Sequence, residues 1–240
     1  CIMYIMEYSR KEIGRAGERL VQQSLNSEGF NEQDVEKLHA WRMLHLYPLN
    51  RLKFFVGREA KLVEENMLTS SRIKRFPSII NKLQRFPEMK LHKMQDLGGC
   101  RVILSNVAKV YELQERINAL KFKHSLVRTD DYMVGVKSSG YRSLHMVYSF
   151  DNEKYEQLNG LRVEIQLRTA IQHSWATAVE MVGLFRKEAL KSSQGDNKWL
   201  RFFQLVSELF YRIETEKLSG RYYTVSEELR HLNKELNVVD

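Results

Sequence analysis

Proline is scarce in this chain of 240 residues, with three in all beside twelve glycines. So few breakers favour long uninterrupted helices and count against a turn-rich all-β fold. Cysteine is scarcer still. Cys1 and Cys100 lie far apart and form no CxxC, so no disulfide framework is expected and a reduced cytoplasmic protein is. No apolar run approaches the roughly 18 residues that a membrane span needs, and no membrane partner is expected. The opening CIMYIM is too short for a signal h-region and has no basic stretch before it. Cys1 standing where an initiator Met would be suggests an offset start, with Met3 and Met6 as candidates. Bias toward disorder is missing too, because 43% of residues are apolar and 28% charged.

What the chain does have is positive charge. Lys and Arg number 38 against 30 Asp and Glu, so the formal net charge is 38 − 30 = +8. That points to polyanionic partners: nucleotides, RNA, DNA or acidic protein. The charge must be located before it means more.

Caps and periodicity divide the chain. Ser9 followed by Glu12 reads as a capping box that opens a helix running to about Asn26. Asn31 caps a second helix with Val35, Leu38, Trp41, Leu44 and His45 on one face, expected to break near Pro48. A third helical stretch follows from about Leu49 to Leu68. Pro77 starts a short helix over about 77–86, ended by Phe86 ahead of Pro87. Cys100–Leu104 is a strand, residues 107–121 an amphipathic helix, and 124–129, 142–150 and 161–168 further strands. Helices return at Ala170–Leu190, 197–218 and 223–237, with a Ser-Ser-Gln-Gly-Asp linker at 192–196. The expected class is α+β: a core at about 71–190, a helical extension at 1–70 and C-terminal helices at 191–240.

Chemistry gathers in the core. Ser78, Lys82 and Arg85 stand at i, i+4, i+7 and share one face of the short helix. Arg72 and Lys74 precede it, on the side where its free N–H groups point, which is a phosphate-binding arrangement or a solvated basic face. In the strand LRVEIQLR, Val163, Ile165 and Leu167 point one way and Glu164, Gln166 and Arg168 the other. A carboxylate in such a polar row can ligate Mg²⁺ or accept a proton from a sugar hydroxyl. Asp96 lies just ahead of the strand led by Arg101, where Gly98 and Gly99 allow close backbone approach, and could supply a second metal ligand. The segment from Lys137 through Gly140, Tyr141 and Ser143 to His145 offers a cation, a ring and hydroxyls, the parts that recognise a base and its phosphates.

Taken together and in order, these segments resemble the RelA/SpoT-type alarmone synthetases. RIKRFPSIINKLQR matches that family's R-x-K-x3-S-I-x2-K pattern, and DLGGCRVIL its D-x-x-G-x-R-V-I segment. DYMVGVKSSGYRSLH is similar to its D-Y-x4-K-x2-G-Y-x-S-L-H loop, and VEIQLRT to its V-E-x-Q-I-R-T strand. The resemblance covers Arg72 to Thr169. It implies a nucleotidyltransferase-like mixed β-sheet of about five strands flanked by helices. It also implies transfer of the ATP β,γ-pyrophosphate to the 3′-hydroxyl of GDP or GTP with Mg²⁺. On that resemblance Arg72, Lys74, Lys82 and Arg85, helped by Ser78, hold ATP phosphates, and Arg101 faces the adenine or its phosphates. Asp96 binds Mg²⁺, and Glu164 contacts the metal or activates the acceptor hydroxyl. Tyr141 stacks on guanine, Lys137 and His145 contact acceptor phosphates with Ser143 beside them, and Gln166 and Arg168 support that site. Arg128 is a looser candidate.

Residues 1–70 lack the His and Asp clusters of the family's hydrolase domain, so the resemblance is to its small single-domain members. In WATAVEMVGLF the histidine that many of these carry after the strand is replaced by Met181 or Val182. The physics suits the implied reaction, since ATP and a guanosine diphosphate bring together roughly seven negative charges that cations must offset. Two other readings stay open. A toxic small synthetase would pyrophosphorylate the tRNA 3′ end, and a non-catalytic RNA-binding module would keep only the fold. The apolar stripe of Leu200, Phe203, Val206, Phe210 and Ile213 is either core or an oligomer or antitoxin interface.

Overall fold

The computed structural model describes residues 8–188, 190, 195–215 and 221–238, the side chains of 221–224 aside. The opening CIMYIM with Cys1, and residues 192–194 of the expected linker, lie outside the described residues. Ser9 caps α1 (Arg10–Leu25) as the capping box requires: its hydroxyl accepts from the Glu12 N–H, and the Glu12 carboxylate accepts from the Ser9 N–H. Asn31 caps α2 (Glu32–Leu44).

Two expectations give way here. The chain bends at His45, and Pro48 sits inside the first turn of α3 (Leu46–Val63). N–H groups there have no intrahelical acceptor, so proline's missing donor costs nothing. That helix ends before Leu68, because Leu68–Ile73 forms β1, paired antiparallel with β2 (Gly98–Leu104). The sequence LTSSRI has no apolar alternation to announce a strand. It is an exposed edge, and its pairing with β2 makes it one.

The remaining elements are α4 (Phe76–Arg85), α5 (Val107–Asn118), β3 (Ser125–Asp131), β4 (Leu144–Ser149), β5 (Arg162–Thr169), α6 (Ala170–Arg186), α7 (Asn197–Glu214) and α8 (Arg221–Leu236). Lys187, in the left-handed region at φ 55°, closes α6 earlier than its apolar run suggested. The sheet order is β1-β2-β5-β4-β3, with β2 and β5 parallel and the other pairs antiparallel. This is the mixed five-strand α+β architecture that the resemblance implied.

One face of the sheet is sealed. Val102, Leu104, Met146, Val163, Ile165 and Leu167 pack there with Leu52, Val56 and Ala60 of α3 and Val110, Leu113 and Ile117 of α5. Each buried aliphatic side chain contributes about 1.5–3 kcal/mol, which fixes the register of β5 and turns its alternate residues to the other face. A second cluster joins α1, α2 and α4 through Ile13, Leu20, Leu38, Trp41, Ile79 and Leu83. A third joins Tyr141 to Trp175 and Val179 of α6 and Phe203 of α7. Leu200, Val206 and Phe210 pack against that third cluster, while Ile213 at the end of the stripe is 50% exposed. Among the described residues no helix is long and apolar enough to cross a membrane.

Candidate active site

Glu164 stands at the centre of the sheet's open face. Its register partners are Gly99 on β2 and Val147 on β4. Its Oε1 lies 3.1 Å from His145 Nδ1, and its Oε2 accepts from Gln166 Nε2 at 2.6 Å. Burial by itself would raise this carboxyl. The hydrogen bonds from His145 and Gln166 and the charge of Lys82 outweigh it and hold Glu164 at about 2.

Burial drives His145 the other way, below the ordinary imidazole value, against the pull of Glu164. A neutral ring is consistent with one hydrogen-bond assignment. Nδ1–H donates to Glu164, and Nε2 accepts the Tyr141 hydroxyl at 2.7 Å. Arg168 Nη2 in turn donates to the Tyr141 oxygen and, at 3.0 Å, to Gln166 Oε1. The polar row of β5 is thus one chain of donors and acceptors ending on Glu164.

Asp96 faces it from the segment leading into β2. Its Oδ2 lies 2.9 Å from Nζ of both Lys74 and Lys82. Burial opposes its charge, and the two ammonium groups overcome that opposition, keeping the carboxyl below its usual range. Oδ1 is buried with no hydrogen-bond partner among the described residues. Lys74 is fixed by its backbone: its N–H donates to Leu97 O at 2.8 Å, and Arg42 Nε donates to its carbonyl at 2.9 Å. Arg42 was not singled out in the sequence, because nothing local ties α2 to a residue so far along the chain.

Arg72, Lys74, Asp96, Arg101, Glu164 and Gln166 line one cleft of about 220 Å³, with Glu180 of α6 as a further carboxylate that the motifs did not mark. Arg101 reaches Gln166 Oε1 at 3.3 Å. A Cβ at Gly99 would meet nothing nearer than 3.6 Å, so the glycine leaves the floor of the cleft open. A larger cavity of about 550 Å³ lies among Arg10, Trp41, His92, Lys93 and Arg162, but no carboxylate lines it. The chemistry therefore belongs to the smaller cleft.

Several expected site residues are placed differently. Of the face shared by Ser78, Lys82 and Arg85, Lys82 alone turns to Asp96; Ser78 is exposed, and Arg85 lies 5.0 Å over the Phe86 ring. Ser143 is fully buried, its hydroxyl donating to Leu167 O at 3.1 Å and accepting from Arg168, so it holds strands together and cannot meet a ligand. His145 is 7% exposed, with its nitrogens engaged by Glu164 and Tyr141. Tyr141 is 4% exposed, with Lys137 and Arg168 about 5 Å from its ring centre, at 5.1 and 5.0 Å. Lys137 sits closer to Tyr132, at 4.0 Å, the ring of the D-Y pair that opens the same loop motif. Arg128 pairs with Asp130 at 2.8 Å on the edge strand β3.

Residues 71–186 match the model of a family described as the region found in RelA / SpoT proteins. This stretch, the RelA/SpoT segment, is just under half of the chain. GTP pyrophosphokinase YwaC of Bacillus subtilis (strain 168) is 36% identical to the chain over 117 residues, and GTP pyrophosphokinase YjbM of the same organism 33% over 110. Each match takes in 45% of this chain and 54% or 52% of the relative, so the chain spans about half the length of the curated relatives it matches. Among solved structures, small alarmone synthetase 1 from Bacillus subtilis superposes with a TM-score of 0.62 at 26% identity, over 80% of this chain and 99% of that one. The same protein bound to its product pppGpp gives 0.60 at 26% identity, over 74% and 94%. Of the residues that line the cleft, all but Ser70 fall within residues 71–186.

Proposed function

We propose that this chain transfers the β,γ-pyrophosphate of ATP to the 3′-hydroxyl of GDP or GTP. Glu164 carries the reading: an ionised carboxylate on a buried polar row, beside a second carboxylate held by Lys74 and Lys82, in a cleft lined by Arg72 and Arg101. Two GTP pyrophosphokinases among the relatives and a product-bound alarmone synthetase of the same fold support it.

The acceptor oxygen forms a bond to the β-phosphorus, the bond from that phosphorus to the α–β bridging oxygen breaks, and AMP leaves. A carboxylate at about 2 is a weak base, so Glu164 acts first by accepting the hydroxyl's hydrogen bond and orienting it. It takes the proton as the new O–P bond makes the hydroxyl acidic, helped by the nearby phosphates, which raise its proton affinity. Lys74, Lys82, Arg72 and Arg101 offset the phosphate charge. Asp96 and Glu164 would hold Mg²⁺, which supplies further charge neutralisation. The fit rests on the buried, unpartnered Asp96 Oδ1 and on magnesium's habit of taking one or two carboxylates together with phosphates and water.

The test is incubation of the purified chain with Mg²⁺, γ-labelled ATP and GDP or GTP. Label recovered at the 3′ position of the guanosine nucleotide is the expected result. Label that stays in ATP, or moves only to deacylated tRNA offered in parallel, overturns the proposal.

A further inference from the structure

The loop between β3 and β4 carries Lys137 and Tyr141, and it rests on α7, which lies beyond the RelA/SpoT segment. Gln204 Nε2 donates to the Ser138 carbonyl and Ser207 Oγ to the Gly140 carbonyl. Ser207 is 4% exposed. Glu208 Oε2 lies 3.0 Å from Arg142 Nη2, and Arg142 Nη1 donates across the loop to Met133 O at 2.8 Å. Gly140 has φ +86°, and a Cβ there would stand 3.0 Å from the Gln204 Cα, so the loop backbone runs directly against the helix backbone. The helix itself is pinned to α6 by Trp175 Nε1, which donates to Phe203 O at 2.8 Å.

The loop transmits what the helix fixes. Gly140 N–H donates to Lys137 O at 2.8 Å and Lys137 N–H to Tyr141 O at 3.4 Å, closing a tight turn between the two anchored carbonyls and the two side chains. By contrast Arg72, Lys74 and Lys82 belong to β1, α4 and the segment between them.

We infer that α7 is the positioning element of the acceptor site, acting through Gln204, Ser207 and Glu208, and that its displacement weakens guanosine-nucleotide binding while leaving ATP binding in place. This rests on the proposed function for the identity of the acceptor, and on the RelA/SpoT resemblance for the placing of Lys137 and Tyr141 at its site. The clamp itself does not depend on it.

The experiment pairs Gln204→Ala with Ser207→Ala in the full chain. The KM for the guanosine nucleotide is expected to rise about tenfold, with the KM for ATP and the affinity for a non-hydrolysable ATP analogue within about twofold of the parent. Glu208→Asp should retain the parental acceptor KM, and Glu208→Ala should not. An acceptor KM unchanged in a double variant that still binds the ATP analogue overturns the inference, as does an ATP affinity that falls in step with it. Hydrogen exchange of the amides at 138–143 reads the clamp without any substrate and should quicken in the double variant. A parent chain inactive with every guanosine nucleotide sinks the proposed function, and unchanged exchange at 138–143 sinks the clamp.

Discussion

Glu164 has a side chain 14% exposed and remains ionised because His145, Gln166 and Lys82 outweigh the cost of its burial. Glu164→Gln keeps the shape and removes the charge. Turnover should fall by about 10²–10⁴, with affinity for an ATP analogue within about twofold by calorimetry. Tyr141→Phe tests the relay behind it: the ring stays, but the hydroxyl that donates to His145 Nε2 is lost. A drop of about tenfold in kcat is expected, with the ATP KM unmoved.

His45 offers a pH prediction away from the cleft. Burial lowers it to about 4, so the folded protein binds a proton there less readily than the unfolded chain does. Stability is therefore full above the ordinary imidazole value and is lost as pH falls toward 4, by about 3 kcal/mol for this group. Unfolding free energies from denaturant titrations should fall more steeply from pH 7 to 4 in the parent than in His45→Gln.

That Lys74, Asp96 and Glu164 share one cleft was legible in the sequence, through strand parity for Glu164 and motif order for the other two. The places of Ser143 and Arg85 were not. Parity says which side a residue takes, but not that Leu167 and Arg168 would cover the first, or that a helix end would turn the second outward.

At the scale of elements, the long helices announced themselves through caps and apolar spacing, whereas β1 depended on a partner it could not name. Close helix packing was equally hidden. Gly17 of α1 would place a Cβ 2.7 Å from Leu91 Cβ, an atom that cannot swing away. Helix propensity alone would reward Gly17→Ala by roughly 1 kcal/mol. Overpacking of this kind costs about 1–3 kcal/mol, so the melting temperature should fall where propensity predicts a rise. Ser9→Ala is the simpler case and should cost about 1 kcal/mol through loss of the α1 cap.

Across the whole molecule, the RelA/SpoT segment does not hold its own core. Leu52, Val56 and Ala60 of α3 close one face of the sheet, and Phe203 of α7 closes the cluster around Tyr141. The isolated stretch 71–186 should therefore lack a cooperative thermal transition and a near-ultraviolet dichroism spectrum, while the full chain has both. The motifs, and almost all of the cleft that their residues line, lie in that stretch. They said little of the flanking helices, whose contribution is packing that many sequences satisfy.

The central strand of the sheet is also the last to be made. Chain order runs β1, β2, β3, β4, β5, but β5 lies between β2 and β4. Until it inserts, each half of the sheet has an open edge, and Asp96 and His145 have no Glu164 to face. The pairing of Arg101 with Gln166 spans 65 residues, a separation that slows assembly. Completing the sheet and bringing Glu164 against His145 and into the cleft with Asp96 are thus one event.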